Sequence, residues 1–217
     1  MTSIVEHGSS MVQSSGRAGR PEGSSRAMLE EAAAELFLEQ GYAGTTIAQI
    51  SRRAGVSRNT LFHYFAVKSD LLWVAVDRVL IGLPAALAEA EPGSVPTDAV
   101  HRALLGLANQ FGSGDVPWAL TDRDVMGTTA QLQASALARG TRQAALVSRF
   151  VQSRDATTAP LAAAFAWAVL AAAAQAAGVW ARSGVQRGPL APYIDDAISP
   201  VCAGFGRHWG YAGDHRQ

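Results

Sequence analysis

At 217 residues the chain is long enough for one large or two small domains, and a hydrophobic content of 48% supports a buried core. Its 18 Lys and Arg residues balance 18 Asp and Glu, so the whole molecule is no general magnet for polyanions, and any grip on one must be local. Cys202 is the single cysteine, which excludes an intrachain disulfide and a cysteine-based zinc site and fits a reducing cytoplasm.

Residues 1–24 are rich in Ser, Gly and Arg, lack periodicity and are expected to form a disordered arm. The opening MTSIVEHGSSMVQSSG has no basic segment followed by an apolar run, so it does not read as a secretory signal. Within the arm, Arg17 and Arg20 of GRAGRP are of the kind that lies in a DNA minor groove; a solvated tail accounts for them equally well.

Ser25 caps a first predicted helix, RAMLEEAAAELFLEQ, with Met28, Leu29, Ala32, Ala33, Leu36 and Phe37 at helical spacing and Gly41 as its stop. Thr45 or Thr46 caps a second, IAQISRRA, with Ile47, Ile50 and Ala54 inward and Gly55 as its break. Ser57 caps a short third helix, RNTLFHYF, and Ser69 a long fourth, DLLWVAVDRVLIGLPAALAEA, with a kink expected at Pro84. After a Pro- and Gly-containing break at 91–96, helices are expected near 97–111, 117–138, 140–154, 158–183 and 188–209, with no strand pattern anywhere. The run 161–181 is uncharged and long enough to span a membrane. It is mostly alanine and contains Gln175, so it reads as a buried helix of a soluble bundle. The fold class is therefore all-α, with a disordered arm (1–24), an N-terminal three-helix domain (25–70) and a helical C-terminal domain (71–217).

The stretch SRRAGVSRNTLFHYFAVKSDLL decides the function class. Two short helices joined through Ala54, Gly55, Val56 and Ser57 match a helix-turn-helix. The second helix would present Arg58, Asn59, Thr60, His63 and Tyr64 outward, while Leu61, Phe62 and Phe65 fill the core. Such a helix fits the major groove, where Arg and Asn read base edges and Thr or Tyr reach phosphates. From Gly41 to Ser69 there are four Lys or Arg and no Asp or Glu, the local positive patch that a neutral protein needs to hold DNA.

From about Arg26 to Leu72, and specifically in GYAGTTIAQISRRAGVSRNTLFHYFAVKSDLL, the sequence resembles the TetR family of bacterial repressors. The resemblance implies three N-terminal helices for DNA, a fourth linking them to a ligand domain, and a homodimer formed by the last two helices. Carried over position by position, it implies backbone or base contacts from Thr45, Thr46, Ser57, Asn59, Tyr64 and Lys68, with Arg58 and His63 as readers. Phe62 stands where the family usually has tyrosine, so any phosphate contact from that hydroxyl is missing.

In the C-terminal half, Phe111, Trp118, Met126, Leu132, Phe165, Trp167 and Trp180 are candidate pocket residues, each also explicable as ordinary core. Leu190, Ile194, Ile198, Val201 and Phe205 form an apolar stripe on the last helix, assigned to a dimer seam with intramolecular core as the alternative. The tryptophan at position 73 and the ending GVWARSGVQRGPLAPYIDDA resemble the mycofactocin-associated branch, which implies an acyl-CoA-like effector. Arg123, Arg139, Arg142, Arg149 and Arg154 would then meet CoA phosphates or form a solvated face.

These features describe a cytoplasmic, homodimeric repressor of a palindromic double-stranded DNA operator, released by a small hydrophobic effector, with no cofactor, no metal and no membrane partner. The rival readings are a constitutive DNA binder without an effector and an enzyme. The five histidines, His7, His63, His101, His208 and His215, are scattered, and no hydrolase, phosphate-loop or zinc-protease motif appears.

Overall fold

The computed structural model describes residues 22–114, 116–117, 120, 129–154, 157–184 and 187–214. The described residues form nine α-helices and no strand: α1 (Glu22–Gly44), α2 (Ile47–Arg53), α3 (Arg58–Tyr64), a 3-10 turn (Lys68–Leu72), α4 (Val74–Leu80), α5 (Leu83–Ala88), α6 (Pro96–Ala108), α7 (Thr129–Arg154), α8 (Ala159–Arg182) and α9 (Leu190–Asp214). The chain is all-α.

The first three helices bury Leu29, Phe37, Ile50, Leu61 and Phe65 together, with Leu72 from the turn and Leu132 from the start of α7 in the same cluster. Gly41 leaves helical geometry at φ 75°, and Gly55 turns α2 into α3 at φ 66°, conformations that glycine reaches without a Cβ penalty. Thr46 is the cap of α2: its hydroxyl accepts from Gln49 N, and the Gln49 side chain accepts from Thr46 N, a reciprocal capping box. Ser57 Oγ accepts from Thr60 N at the start of α3.

The second cluster joins α4 to α9 around Val100, Val147, Phe165, Val169, Trp180 and Ile198. Phe165, Phe205 and Trp209 meet as an aromatic trio with centroids 5.3–5.9 Å apart. This places the predicted seam residues Leu190, Ile194 and Ile198 inside their own chain, at 5%, 5% and 0% exposure, so they offer no face to a second copy. Val201 and Phe205 are half-buried and pack on the same core. An amphipathic stripe shows that a helix face is covered; it does not say by which chain.

Two further expectations change. The fourth helix is divided, not kinked: α4 ends at Leu80, and α5 begins at Leu83 with Pro84 in its first turn. Proline lacks the N–H of an interior turn and fits the start of a helix, so the break falls before it. Conversely, the helices expected at 117–138 and 140–154 are continuous through Gly140 from Thr129 onward. That glycine lies under the Trp167 ring, where an added Cβ would sit 3.3 Å from Cζ3, so its small size serves packing between α7 and α8.

Candidate nucleic-acid interface and adjoining cavity

The turn between α2 and α3 leaves Arg58, Asn59, Phe62 and His63 exposed along one face of α3, with Thr60 and Tyr64 half-buried at its borders and Thr46 and Ser57 exposed at the two helix starts. The His63 and Tyr64 rings meet edge to face at 5.1 Å. Phe62 does not fill the core as expected: it is 51% exposed, and the inward positions belong to Leu61 and Phe65. The outward face of α3 thus combines a guanidinium, an amide, an imidazole and an apolar ring, the groups that read base edges and thymine methyls in a major groove.

Two residues expected at the interface are occupied within the fold. Thr45 is 1% exposed, and its hydroxyl donates to Gly41 O at 2.8 Å and lies 3.2 Å from Leu36 O, closing the end of α1. Lys68 reaches back: its Nζ donates to Tyr42 O at 2.7 Å and Thr45 O at 2.8 Å and lies 3.9 Å from the Tyr42 ring centroid. Burial pushes the Lys68 ammonium below its ordinary value. The positive patch is smaller again because Arg53 forks onto Glu39 and also meets Glu35, both from α1, with N–O distances of 2.8–2.9 Å. Of the four cations counted along the sequence, Arg52 and Arg58 remain exposed with no ion pair to any described residue. Arg17 and Arg20 lie outside the described residues.

Behind this head lies a half-open cavity of about 360 Å³, walled by α4, α6, α7, α8 and the start of α9. Phe111 and Leu132 line it; Trp118 and Met126 lie outside the described residues. The other three candidates are elsewhere. Phe165 and Trp180 are fully buried core, the latter donating its indole N–H to Gly188 O, and Trp167 is 42% exposed, with its ring over Gly140 of α7 and outside the cavity lining. The wall is made instead by aliphatic residues such as Val76, Leu104, Leu107 and Leu170, and by Trp73. Bulk marks a residue as apolar, not as cavity-facing. These smaller side chains and small residues such as Ala173 and Ala177 leave the space open.

The wall shared with the head is polar. Arg139 on α7 is 8% exposed; its Nε and Nη2 donate to the two Asp77 oxygens at 2.8 and 2.7 Å, and Nη2 also reaches Asp70 Oδ1 at 3.2 Å. Burial opposes its charge, yet Asp77 and then Asp70 hold the guanidinium above its ordinary value. The other Asp70 oxygen accepts from Val67 N at 3.1 Å and so caps the turn that follows α3. Trp73 donates from Nε1 to Ser135 Oγ at 2.7 Å and faces the Arg139 guanidinium at 5.0 Å. One cluster therefore touches the cavity on one side and the turn that follows the reading helix on the other. With two carboxylates on one guanidinium, this wall has no spare positive charge, so Arg139 is not the CoA-phosphate contact considered from sequence. Arg154 donates to the Ala90 and Glu91 carbonyls after α5, Arg142 and Arg149 are exposed, and Arg123 lies outside the described residues. The spacing of Arg139 with Leu132, Ala136 and Gln143, on the inward stripe of α7, was the available signal for a buried, paired arginine.

His101, Asp195 and Ser199 also come together, with His101 Nε2 2.7 Å from Asp195 Oδ1 and 3.2 Å from Ser199 Oγ. A charge-relay triad needs the acid and the nucleophile on opposite ring nitrogens, and here both engage the same one. Ser199 and then His101 hold the Asp195 carboxyl below its ordinary range, and the trio ties α6 to α9.

A family model described as the MftR C-terminal domain matches residues 94–206, more than half of the chain, and the model of bacterial regulatory proteins of the tetR family matches residues 29–73. The chain belongs to the TetR family of bacterial regulatory proteins. As a TetR-family member it is a DNA-binding transcriptional regulator, with α2 and α3 as its helix-turn-helix. It is 28% identical over 193 residues, covering 88% of this chain and 96% of the relative, to MftR of Mycobacterium tuberculosis, named for transcriptional regulation of mycofactocin biosynthesis. A shorter likeness, 46% over 55 residues, links it to the HTH-type transcriptional regulator HbdR of an Aromatoleum strain, covering 25% of this chain and 24% of that one. Among solved TetR-family structures, FadR of Thermus thermophilus, crystallised with lauroyl-CoA, matches with a TM-score of 0.55 at 19% identity over 82% of this chain and 94% of that one. NalD of Pseudomonas aeruginosa, the secondary repressor of a multidrug efflux pump, matches with a TM-score of 0.53 at 18% identity over 84% and 95%. These two structures share the fold.

Proposed function

We propose that this regulator is a cytoplasmic homodimeric repressor that leaves its operator when a small hydrophobic effector, of acyl-CoA type, fills the cavity, and that it has no catalytic activity of its own. The observation that carries the reading is the shared wall: Trp73 and Arg139 line the cavity, while Asp70 joins Arg139 to the turn directly after α3. An effector that presses on Trp73 or displaces α4 moves the residues that hold the reading helix. It releases DNA only if it binds the displaced arrangement more tightly. The cavity size falls in the range of roughly 300–1,000 Å³ usual for small-molecule sites, and its mostly apolar wall suits an acyl chain. A constitutive DNA binder would need neither the cavity nor its link to the head. In the proposed interface Thr46, Ser57 and Tyr64 meet the DNA backbone, while Arg58, Asn59, Thr60 and His63 face the bases.

The second copy is proposed to dock on α8 and α9, through the face that the fold leaves open. Along α8, Ala164, Trp167, Ala171 and Val179 are exposed at helical spacing, with Ala174 and Gln175 between them at the cavity wall, and the first turn of α9 adds Pro192. Small residues permit close helix approach. Among the described residues α8 has the length and hydropathy to cross a membrane, yet Ala162, Phe165, Ala166, Val169 and Trp180 are buried on one side of it. Covering the other side in a dimer would complete its burial.

The test is to titrate the protein–operator complex with acyl-CoAs of increasing chain length and with free CoA. Release that grows with chain length and is absent with free CoA is the expected result. Binding that leaves operator affinity unchanged would remove the effector reading.

A further inference from the structure

Among the described residues two arginines line the cavity, and the fold employs only one of them. Arg139 on α7 is taken by Asp70 and Asp77. Arg182, in the last turn of α8, is exposed and makes no hydrogen bond or ion pair with any described residue. Its side chain runs back along the helix. A Cβ added at Gly178, one turn earlier and itself part of the wall, would sit 3.2 Å from Arg182 Nη1 and 3.9 Å from Cζ. The guanidinium therefore rests on the bare backbone of Gly178, at the wall of the half-open cavity. The carbonyl end of α8 favours a cation in this turn, yet no described carbonyl accepts a hydrogen bond from it. None of the described lining residues is Asp or Glu, so no carboxylate on the wall competes for the Arg182 charge.

We propose that Arg182 is the anion anchor of this cavity, so that the effector is an amphipathic anion, with its apolar body against the aliphatic wall and a carboxylate or phosphate seated on the Arg182 guanidinium. This rests on the reading of the cavity as an effector site. The wall at Leu104, Leu107 and Leu170 rewards apolar surface of any kind and does not tell a charged ligand from a neutral one of equal length. A guanidinium does, because its planar fork of N–H donors matches two oxygens of a carboxylate or phosphate at once. Water reaches this site, so the pair is spared the full cost of desolvation, and its worth is correspondingly moderate. A free fatty carboxylate and the phosphates of a CoA thioester offer the same oxyanion chemistry, and binding separates the two sources.

The experiment uses the full chain and three probes: decanoate and decanoyl-CoA as the anions, and decan-1-ol as the neutral chain of equal length. Binding of each is measured calorimetrically near neutral pH, where decanoate is ionised, to the wild type, to Arg182→Gln and to Arg182→Lys. Arg182→Gln is expected to weaken at least one anion about tenfold, with decan-1-ol unchanged or not bound by either protein. Arg182→Lys is expected to recover part of the loss, since it restores the charge without the fork. A loss confined to decanoate identifies a free carboxylate as the occupant, and a loss for decanoyl-CoA identifies the phosphates. An equal loss for all three probes, no loss for either anion, no recovery in Arg182→Lys, or a wild type that binds neither anion would each overturn the assignment. If acyl-CoAs release the operator from Arg182→Gln as readily as from the wild type, the effector reading stands and only the anion anchor falls.

Discussion

At the scale of single residues, Lys68 and Arg58 separate two kinds of basic residue that look alike in sequence. Lys68 is expected to act as a structural staple, since its ammonium satisfies the Tyr42 and Thr45 carbonyls at the end of α1. Lys68→Met should cost about 1–3 kcal/mol of stability in urea denaturation, because half-buried carbonyls lose a charged donor. Once folded, the variant should keep the wild-type salt dependence of DNA binding. Arg58→Ala should do the opposite, leaving stability within about 0.5 kcal/mol while weakening operator binding by about 1–3 kcal/mol and scrambled DNA far less. A flattened salt slope for Lys68→Met would return that residue to the phosphate contacts. Cys202 gives a pH test. Burial, with Asp98 as a smaller contributor, pushes its thiol up to about 11 from an ordinary 9.0. The folded state therefore holds the neutral thiol where an unfolded chain ionises. Its contribution to stability is full below pH 9 and is lost as pH rises from there towards 11. Cys202→Ser is expected to flatten this alkaline fall in chemical denaturation, and a disulfide-exchange reagent at pH 8 should label Cys202 slowly until the chain is denatured.

Between elements, the junction of α7 with the turn after α3 decides whether cavity and head communicate. Arg139 spans it, with Asp77 on α4 and Asp70 in the turn, while Trp73 and Ser135 add a second bond. A double-mutant cycle with Arg139→Met and Asp70→Asn should show a coupling of about 1–3 kcal/mol in urea denaturation, since removing one partner leaves the other half-buried and underpaired. Asn at position 70 retains an oxygen for Val67 N, so the cycle isolates the link to α7 from the cap. Additivity within about 0.5 kcal/mol would show that the junction carries no energy, and the route from cavity to head would have to lie elsewhere.

For the whole molecule, the exposed face of α8 is the one proposed to meet the second copy. Leu190, Ile194 and Ile198 are buried in their own chain, so a charge there would damage the monomer itself. Ala171 sits in the middle of the exposed apolar face of α8. Ala171→Glu should preserve helicity and thermal cooperativity but raise the dimer dissociation constant by about 100-fold, roughly 3 kcal/mol, by placing an unpaired charge in the seam. Sedimentation equilibrium at micromolar concentration reads this directly. A wild type that sediments as a monomer, or a dimer indifferent to the substitution, would move the interface off α8. The same variant should bind an isolated half-site as before and lose affinity for the full operator, because two linked heads raise each other's local concentration.

The sequence by itself determined the helical class and the helix-turn-helix. These rest on local rules: a cap at Thr46 or Ser57, a glycine that takes positive φ at Gly55, and apolar spacing along α1 are each satisfied within a few residues. The same locality made Pro84 legible as a disturbance, though the break it imposes needed the neighbouring turn to be seen. What only the tertiary structure decided is which partner each group finds. Arg53 and Lys68 count as positive charge in the sequence, yet two glutamates of α1 take the first, and the carbonyls of Tyr42 near the end of α1 and Thr45 just beyond it take the second, all from residues far along the chain. The stripe of α9 says that something covers it, and only packing shows that α6 and α8 of the same chain do so. The cavity is the least local feature of all. It is a volume left by five helices at once, walled by modest residues such as Leu104 and Ala173, while the large aromatics Phe165 and Trp180 were drawn into close-packed core.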